Sequence, residues 1–367
     1  MKRYLKSILT ICGTLGITPA VMGAEIPREY RSARYLSMGD AGVCLAEGHD
    51  ALFYNPAGIA DVTGLINEVI LASPQLELSS SAQDIYKDYK NGREPLQIVK
   101  GLANNPQHLA VQNYSGIVFR RSALGIYQRG QAGVFLGTDP LRGMMVARGD
   151  ILARAGVNAA FGRGFWKDSV LVGVNLKFAQ KAEGNIEVDA LNAETEFKGQ
   201  KPSDLLGKYI KRGNGVGVDL GGIWKLSDES KTRMGIVIKN VGGMKYRWPV
   251  PATRTGPSDD LQTVDLGISI APGTKKSFSV LTVNLLDALD AYHESIYKRI
   301  HLGARISFQN VLGVMAGINQ GYPTYGGFLN IKILRVEGGV YSEELGENPG
   351  DLRSKRIFGR VSVGWTQ

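Results

Sequence analysis

The chain ends in a stretch whose residues alternate between two kinds of surface: Arg356-Ile357-Phe358-Gly359-Arg360-Val361-Ser362-Val363-Gly364-Trp365-Thr366-Gln367. From Ile357 to Trp365 every second residue is Ile, Gly, Val, Val and Trp, and the residues between them are Phe, Arg, Ser and Gly. Because successive side chains of a strand point to opposite faces, this stretch predicts a strand with one apolar and one polar face. The apolar face could meet either a protein core or lipid, and the rest of the chain decides between them.

The same alternation recurs along the chain. In 299–308 the apolar face is Ile, Leu, Ala, Ile and Phe, and the opposite face contains Arg and His. Comparable segments lie within 151–161, 170–179 and 233–239. A period of two over such lengths indicates half-buried strands, and about fourteen of them can be placed after residue 64.

The connections between these segments alternate in length. Long connections follow odd-numbered segments, as at about 79–106, 183–212 and 243–260, whereas short turns follow even-numbered ones; the short link near 321–323 is an exception. Trp166, Trp224 and Trp365 fall beside the short turns, where a membrane interface favours aromatic rings. Long loops on one rim and tight turns on the other are typical of bacterial outer-membrane barrels. The sequence therefore predicts an all-β transmembrane antiparallel β-barrel of about fourteen strands over residues 65–367.

The first residues indicate export. Lys2, Arg3 and Lys6 precede a mostly apolar run that ends at Gly23 and Ala24, which predicts a secretory signal peptide over 1–24. No later run of about eighteen apolar residues predicts a membrane-spanning helix. Only one cysteine, at position 44, would remain after processing, so no internal disulfide is expected. The formal charge of +9 includes three cations of the signal, and an exported chain without a basic cluster does not suit nucleic-acid binding.

Residues 33–63 do not alternate and carry two motifs, Met38-Gly39-Asp40-Ala41-Gly42 and Tyr54-Asn55-Pro56-Ala57-Gly58-Ile59-Ala60. This pair resembles the N-terminal signature of the FadL-type outer-membrane transport family, and equally that of the PorV/PorQ-type barrels of the same superfamily. The resemblance implies a fourteen-stranded barrel whose N-terminal segment, here 25–64, folds into the lumen as a hatch. It also implies passive diffusion of hydrophobic molecules through the bacterial outer membrane. The hatch residues expected to form the gate are Gly39, Gly42, Tyr54, Asn55, Pro56, Ala57 and Gly58.

The Asn55-Pro56 pair has a physical role that does not depend on the resemblance. Proline fixes its own φ and disfavours helical backbone at Asn55, which indicates a turn. The Asn55 amide can then bond to backbone groups that lack partners. The segment could gate the lumen, or it could stabilise the barrel and never move.

If the apolar faces meet lipid, the opposite faces line the lumen. The basic residues on these faces are Arg154, Lys177, Arg233, Lys239, Arg305, Lys332 and Arg360, and the acidic ones are fewer, notably Asp219 and Asp265. A basic lumen could attract the head of an anionic amphiphile. Pairing with the acidic residues of the hatch is favoured instead, because buried charges need partners. Those residues are Asp40, Glu47, Asp50 and Asp61.

The sequence predicts no enzyme, no cofactor and no metal site. The four histidines lie on different segments without metal-ligand spacing, and no Gly-x-Ser-x-Gly motif is present. The leading prediction is an outer-membrane channel for passive uptake of hydrophobic or amphipathic molecules such as fatty acids, in contact with outer-membrane lipid. One alternative is a PorV-like component of a protein-secretion system that binds exported cargo through the loops at 183–212 and 243–260. A second is a soluble periplasmic β-rich protein.

Overall fold

A computed structural model describes residues 25, 28–93, 105–138, 145–189, 209–227, 229–247, 256–272, 277–309 and 311–366. The predicted signal peptide lies outside these ranges, as do parts of the loops at 183–212 and 243–260. Within them, no helix has the length and apolar character needed to cross a membrane.

One antiparallel sheet dominates the described residues. Its strands are β1 (Ile66–Ala72), β2 (Gln75–Ser79), β3 (Gln107–Phe119), β4 (Ser122–Thr138), β5 (Met145–Phe165), β6 (Val170–Asp189), β7 (Ile210–Ser227), β8 (Thr232–Lys239), β9 (Thr263–Ile270), β10 (Ser277–Leu285), β11 (Ile300–Phe308), β12 (Leu312–Asn319), β13 (Tyr322–Ile331), β14 (Leu334–Glu344) and β15 (Arg353–Thr366). The helices outside the N-terminal segment are α2 (Ala82–Lys90), between β2 and β3, and α3 (Ile296–Arg299), before β11.

The sheet closes on itself as a barrel of fourteen strand positions. β1 and β2 each pair with β15 on one side and β3 on the other, so together they occupy a single position. Ser73 and Pro74 separate them, and proline cannot donate to a strand ladder. Side chains of β3 bridge the interruption: the Ser73 N–H donates to Asn113 Oδ1 at 3.0 Å, and Ser115 Oγ donates to the Leu71 carbonyl at 2.7 Å. The predicted barrel of about fourteen strands is confirmed.

The barrel reverses the usual distribution of polar and apolar side chains. Leu176 and Phe178 of β6, on its outer face, are 49% and 46% exposed. Its inner neighbour Lys177 is buried, and arginines of β15 are among the largest fully buried side chains. A soluble protein rarely exposes so broad an apolar surface, whereas a barrel in a bilayer needs one. This arrangement argues against the soluble alternative and shows that the apolar face of the last strand is the outer one.

The two rims differ as the sequence predicted. Short turns join β3 to β4, β5 to β6, β7 to β8, β11 to β12 and β13 to β14. Trp166, in the β5–β6 turn, is 78% exposed, and Trp224 and Trp365 lie near the same rim on β7 and β15. The long connections meet at the other rim, where the β12–β13 link is the short exception.

Residues 28–63, called here the N-terminal segment, lie against the inner face of the strands. The segment contains helix α1 (Ala33–Ser37) and two 3-10 helices, Gly48–Leu52 and Pro56–Asp61. Most of its residues are buried. From β5 to β13 its backbone or the first atoms of its side chains approach the wall so closely that a side chain at certain wall positions would contact them. These positions are the inner-face glycines Gly162, Gly173, Gly221, Gly235, Gly267, Gly303, Gly317 and Gly326.

Candidate functional site: the lumen and the N-terminal segment

Asn55 ties the N-terminal segment to itself and to the barrel wall. Its backbone is extended (φ −160°), as the following proline requires, and its side-chain oxygen accepts from the Ala57 N–H at 3.1 Å. The side-chain amide donates to the carbonyl of Val43 at 2.9 Å and to those of Gly222 and Ile236 at 3.3 Å each. Asn55 is fully buried, so these bonds satisfy an amide that water cannot reach. It therefore caps the second 3-10 helix and also anchors the segment to β7 and β8.

The other predicted gate residues stand in the same layer. Gly39 has φ +65°, and a side chain there would clash with the carbonyls of Leu302 and Ile318. A Cβ at Gly42 would lie 2.6 Å from the Tyr54 ring, and one at Gly58 would clash with the Ala46 carbonyl. Pro56 and Ala57 are buried against β6 and β7. The two motifs are thus brought together as the layer that meets the wall.

Tyr54 links this layer to a buried ion pair. Its hydroxyl donates to Asp40 Oδ1 at 2.7 Å, and Arg28 Nη2 lies 3.0 Å from Asp40 Oδ2. Burial would raise the pKa of the Asp40 carboxyl, but Arg28 and its other neighbours outweigh burial and hold that pKa below its usual value. Asp40 is therefore ionised at neutral pH, and the charge is matched within the segment.

Six of the seven predicted basic residues are directed into the lumen: Arg154, Lys177, Arg233, Lys239, Arg305 and Arg360. The prediction was wrong for Lys332. Lys332 lies with Ile333 in the tight turn between β13 and β14, has φ +49° and is exposed. The alternation along the two strands breaks at this turn, so the face of Lys332 could not be extrapolated from its neighbours.

The lumen cations pair with two groups of carboxylates. Arg233 Nη2 lies 3.1 Å from Asp61 Oδ2, and Arg305 Nη1 lies 3.9 Å from Glu47 Oε1, both in the N-terminal segment. The other four pair with carboxylates that include wall or loop residues: Arg154 with Asp260, Lys177 with Asp219 and Glu29, Lys239 with Asp265, and Arg360 with Glu337. The predicted pairing with acidic residues of the N-terminal segment is therefore found for only some of the lumen cations.

Sequence reasoning missed a buried charge network along β14, β15, β2, β3 and β4. Arg129 Nη1 lies 2.7 Å from Glu77 Oε1, and the Tyr341 hydroxyl donates to Glu77 Oε2. Arg356 Nη2 lies 2.9 Å from Oε2 of Glu25, just before the N-terminal segment. Glu77 lies between Leu76 and Leu78, so its inward placement could have been found from the strand period. On this side long charged side chains, rather than glycines, separate the segment from the wall.

The described residues of the loop between β8 and β9 cover the lumen on the long-loop side. Met244 and Tyr246 pack against the glycines at the start of β7. Asp260 connects the loop to the barrel wall through its bonds to Arg154. Arg154 reaches the Asp260 carboxylate with two bonds, at 2.7 and 2.8 Å, and the Tyr246 hydroxyl donates to it at 2.7 Å. Lys181 Nζ adds a contact at 3.2 Å. Paired bonds of this geometry fix the loop firmly over the lumen.

A cavity of about 80 Å³ remains between the N-terminal segment below and the loops above. Tyr30, Phe53 and Tyr54 border it from the segment, and Leu261 and Tyr292 border it from the loops. Charged side chains of both signs line the rest. The lumen is therefore filled by the segment on one side and covered on the other, with a polar chamber between.

Comparison with known proteins identifies the fold. The chain is similar to the toluene transporter TodX of Pseudomonas putida, with a TM-score of 0.51 and 12% identity over 93% of this chain and 99% of TodX. It is also similar to a TodX monoaromatic hydrocarbon channel deltaS2 mutant, with a TM-score of 0.54 and 12% identity over 92% and 99% of the two chains. For the toluene transporter TbuX of Ralstonia pickettii the values are 0.50 and 12% over 92% and 98%. At such identities the likeness establishes the fold, which is the one that the FadL-type resemblance implied.

No model of a protein family matches the chain. A search of curated proteins likewise finds no match.

Proposed function

We propose that this protein is a bacterial outer-membrane channel for passive uptake of hydrophobic or amphipathic small molecules. The observation that carries the proposal is the combination of a closed barrel, an apolar exterior and a lumen occupied by its own N-terminal segment. The same fold serves proteins described as toluene transporters and monoaromatic hydrocarbon channels. A solute gradient supplies the driving force, because diffusion through a pore needs no other energy source.

The N-terminal segment acts as the hatch in this proposal. A solute is captured at the long-loop rim, and the loop held by Asp260 must move before it enters the chamber. It leaves after the layer of Asn55 and its neighbours shifts within the lumen. Arg233 and Lys225 hold Asp61 near the short-turn rim, so the end of the hatch stays attached while the centre moves.

An uptake panel tests the proposal. Cells whose own outer membrane lacks a channel for hydrophobic solutes express the full chain or carry an empty vector. We expect faster initial uptake of a long-chain fatty acid or of toluene, and no change for a disaccharide used as a polar control. Equal rates for all solutes with and without the protein would exclude the uptake function.

A second function is favoured by one observation. The chamber is small, and eleven charged side chains are among its lining residues, which is an unusual lining for a hydrocarbon path. A filled barrel could instead present its loops to exported proteins, as a PorV-like component of a secretion system does. Purification in detergent with a specific exported protein still bound, together with an unchanged uptake panel, would favour this function over the channel.

A further inference from the structure

The chamber between the N-terminal segment and the loops has a composition that uptake of hydrocarbon does not explain. Its cationic lining residues are Arg28, Arg154, Lys177, Lys239, Lys298 and Arg299. Its acidic lining residues are Glu29, Asp219, Asp260, Asp265 and Asp287. Six cations and five carboxylates therefore face the same small space. A molecule that carries one charge of each sign can place each of its charges beside a lining group of opposite sign.

Some of these charges are already committed to each other. Lys177 Nζ lies 2.8 Å from both Glu29 Oε1 and Asp219 Oδ1, and its side chain is 3% exposed. Arg154 is bound to Asp260 by two bonds and is equally buried. Lys177 and Arg154 are therefore fixed parts of the chamber wall and are not available to bind a ligand.

Other lining groups keep part of their surface free. The side chains of Lys239, Arg28 and Glu29 are 19%, 15% and 13% exposed although each has a salt-bridge partner. The chamber thus offers cations for an anionic group and a carboxylate for a cationic one.

Aromatic rings line the same space. Tyr30 stacks on Phe53 with ring centroids 4.4 Å apart, and Tyr54 and Tyr292 also border the chamber. The ammonium of Lys239 already lies 5.8 Å from the Tyr54 ring centroid. Aromatic faces beside a carboxylate are the surroundings in which proteins bind quaternary ammonium groups.

We propose that the chamber is a binding site for a small zwitterion, with its ammonium group beside Glu29 and the aromatic rings and its anionic group beside Lys239 and Arg28. The chamber volume of about 80 Å³ is several times the space that one buried water needs. Two kinds of molecule carry such a zwitterionic group: a free solute such as a betaine, and an amphiphile with a zwitterionic head. Binding of a free solute does not depend on the uptake function, whereas binding and passage of an amphiphile rest on it.

Calorimetric titration of the purified full-length protein in an uncharged detergent tests the site. The probes are glycine betaine and phosphocholine, with acetate and tetramethylammonium as single-charge controls. We expect saturable binding of at least one zwitterion, with affinity about tenfold or more above that of either control. Failure of both zwitterions to saturate, or equal binding of a single-charge ion, overturns the proposal.

Variants of the two faces of the chamber locate the binding. Glu29→Gln and Lys239→Met should each lower the affinity about tenfold, and Lys239→Arg should restore most of it. Arg148→Met is the matched control, since Arg148 pairs with Glu187 on extensions of β5 and β6 and does not line the chamber. Thermal unfolding of each variant shows whether it is folded. Folded Glu29 and Lys239 variants that bind like the wild type would overturn the assignment.

Passage of a zwitterionic amphiphile is measured separately, as uptake of an alkyl phosphocholine by cells that express the protein. Betaine binding with no alkyl phosphocholine uptake assigns the site to a free solute and counts against passage of the amphiphile. Uptake of hydrocarbons without any zwitterion binding supports the channel and removes the zwitterion site. The two proposals can therefore fail independently.

Discussion

At the scale of single residues, the sequence was informative where a local pattern decides the side of the sheet. Arg360 was expected to point inward because it alternates with an apolar row, and it is buried in the lumen. Lys332 was placed wrongly because a tight turn ended that pattern. The partners of the cations could not be read from the sequence: Glu337 meets Arg360 across neighbouring strands, and Asp260 reaches Arg154 from a loop. Such pairs depend on strand register and loop path, which no local period specifies.

The Asn55→Ala variant should loosen the N-terminal segment. It removes a helix cap and three donor contacts of a buried amide, which typically costs about 1–3 kcal/mol. The reporter is Cys44, whose thiol lies 3.0 Å from the Cβ position of Gly235. Burial raises the pKa of the Cys44 thiol to about 12, so a folded wild type should react very slowly with maleimide at pH 8. We expect faster labelling in Asn55→Ala, measured by mass shift.

Met38→Leu, a nearly isosteric change elsewhere in the segment, is the control for general loosening. If Cys44 in Asn55→Ala reacts with maleimide no faster than Cys44 in the wild type and in Met38→Leu, Asn55 does not anchor the segment.

Asp260 should make the covering loop sensitive only to strong acid. Burial alone would raise the pKa of the Asp260 carboxyl, but Arg154 and Lys181 hold that pKa below its usual value. A carboxyl with a lowered folded-state pKa stabilises the folded form above its unfolded pKa of about 3.9, and this contribution is lost as pH falls through the folded-state pKa. We expect unchanged hydrogen-exchange protection factors at 256–261, that is, rates corrected for the pH dependence of intrinsic exchange, between about pH 8 and pH 5, and lower protection only below about pH 4.

Asp260→Asn removes the charge and should lower protection between pH 8 and pH 5, because it leaves Arg154 without its full partner. A fall in wild-type protection between pH 8 and pH 5 would show that another group controls the loop.

At the scale of elements, the inner-face glycines explain how the N-terminal segment is seated. A Cβ at Gly173 would clash with the carbonyl of Pro56, which belongs to backbone that cannot rotate away. Gly130 lies on β4 with no atom within 4 Å of its Cβ position. The glycine content was visible in the sequence, but which glycines face the segment depends on the three-dimensional path of residues 33–63, which has no periodicity.

We therefore expect Gly173→Ala to lower the unfolding temperature in detergent by several degrees and to speed Cys44 labelling, because the backbone must shift to admit the new methyl group. Gly130→Ala is the matched control in the same sheet and should leave both quantities nearly unchanged. Equal behaviour of the two variants would mean that close seating against β6 does not hold the segment in place.

The whole molecule combines an apolar exterior, two unlike rims and a lumen filled by its own N-terminal segment. The terminal alternation, the loop pattern and the tryptophans were sufficient to predict the barrel, because each depends on the strand period or on chain order. The chamber was not predictable in the same way, since residues from the N-terminal segment, from six strands between β5 and β11, and from two loops line it. Its charges of both signs separate this lumen from a simple hydrocarbon pore.

In the proposed mechanism solutes cross the barrel when the N-terminal segment moves. A reversible disulfide that ties the segment to the barrel wall tests whether this movement is needed. In Gly235→Cys, the new Cβ would lie 3.0 Å from the Cys44 sulfur, which suits a disulfide between β8 and the segment. Initial uptake of a long-chain fatty acid or of toluene is measured in cells with this variant before and after reduction. Cells with the wild type receive the same treatment.

We expect the uptake rate of the oxidised variant to equal that of the empty vector and to return to the wild-type rate on reduction. The uptake rate of the wild type should not change with reductant. Wild-type uptake by the oxidised, fully cross-linked variant would contradict the account, because the solute would then pass with the segment fixed to the wall.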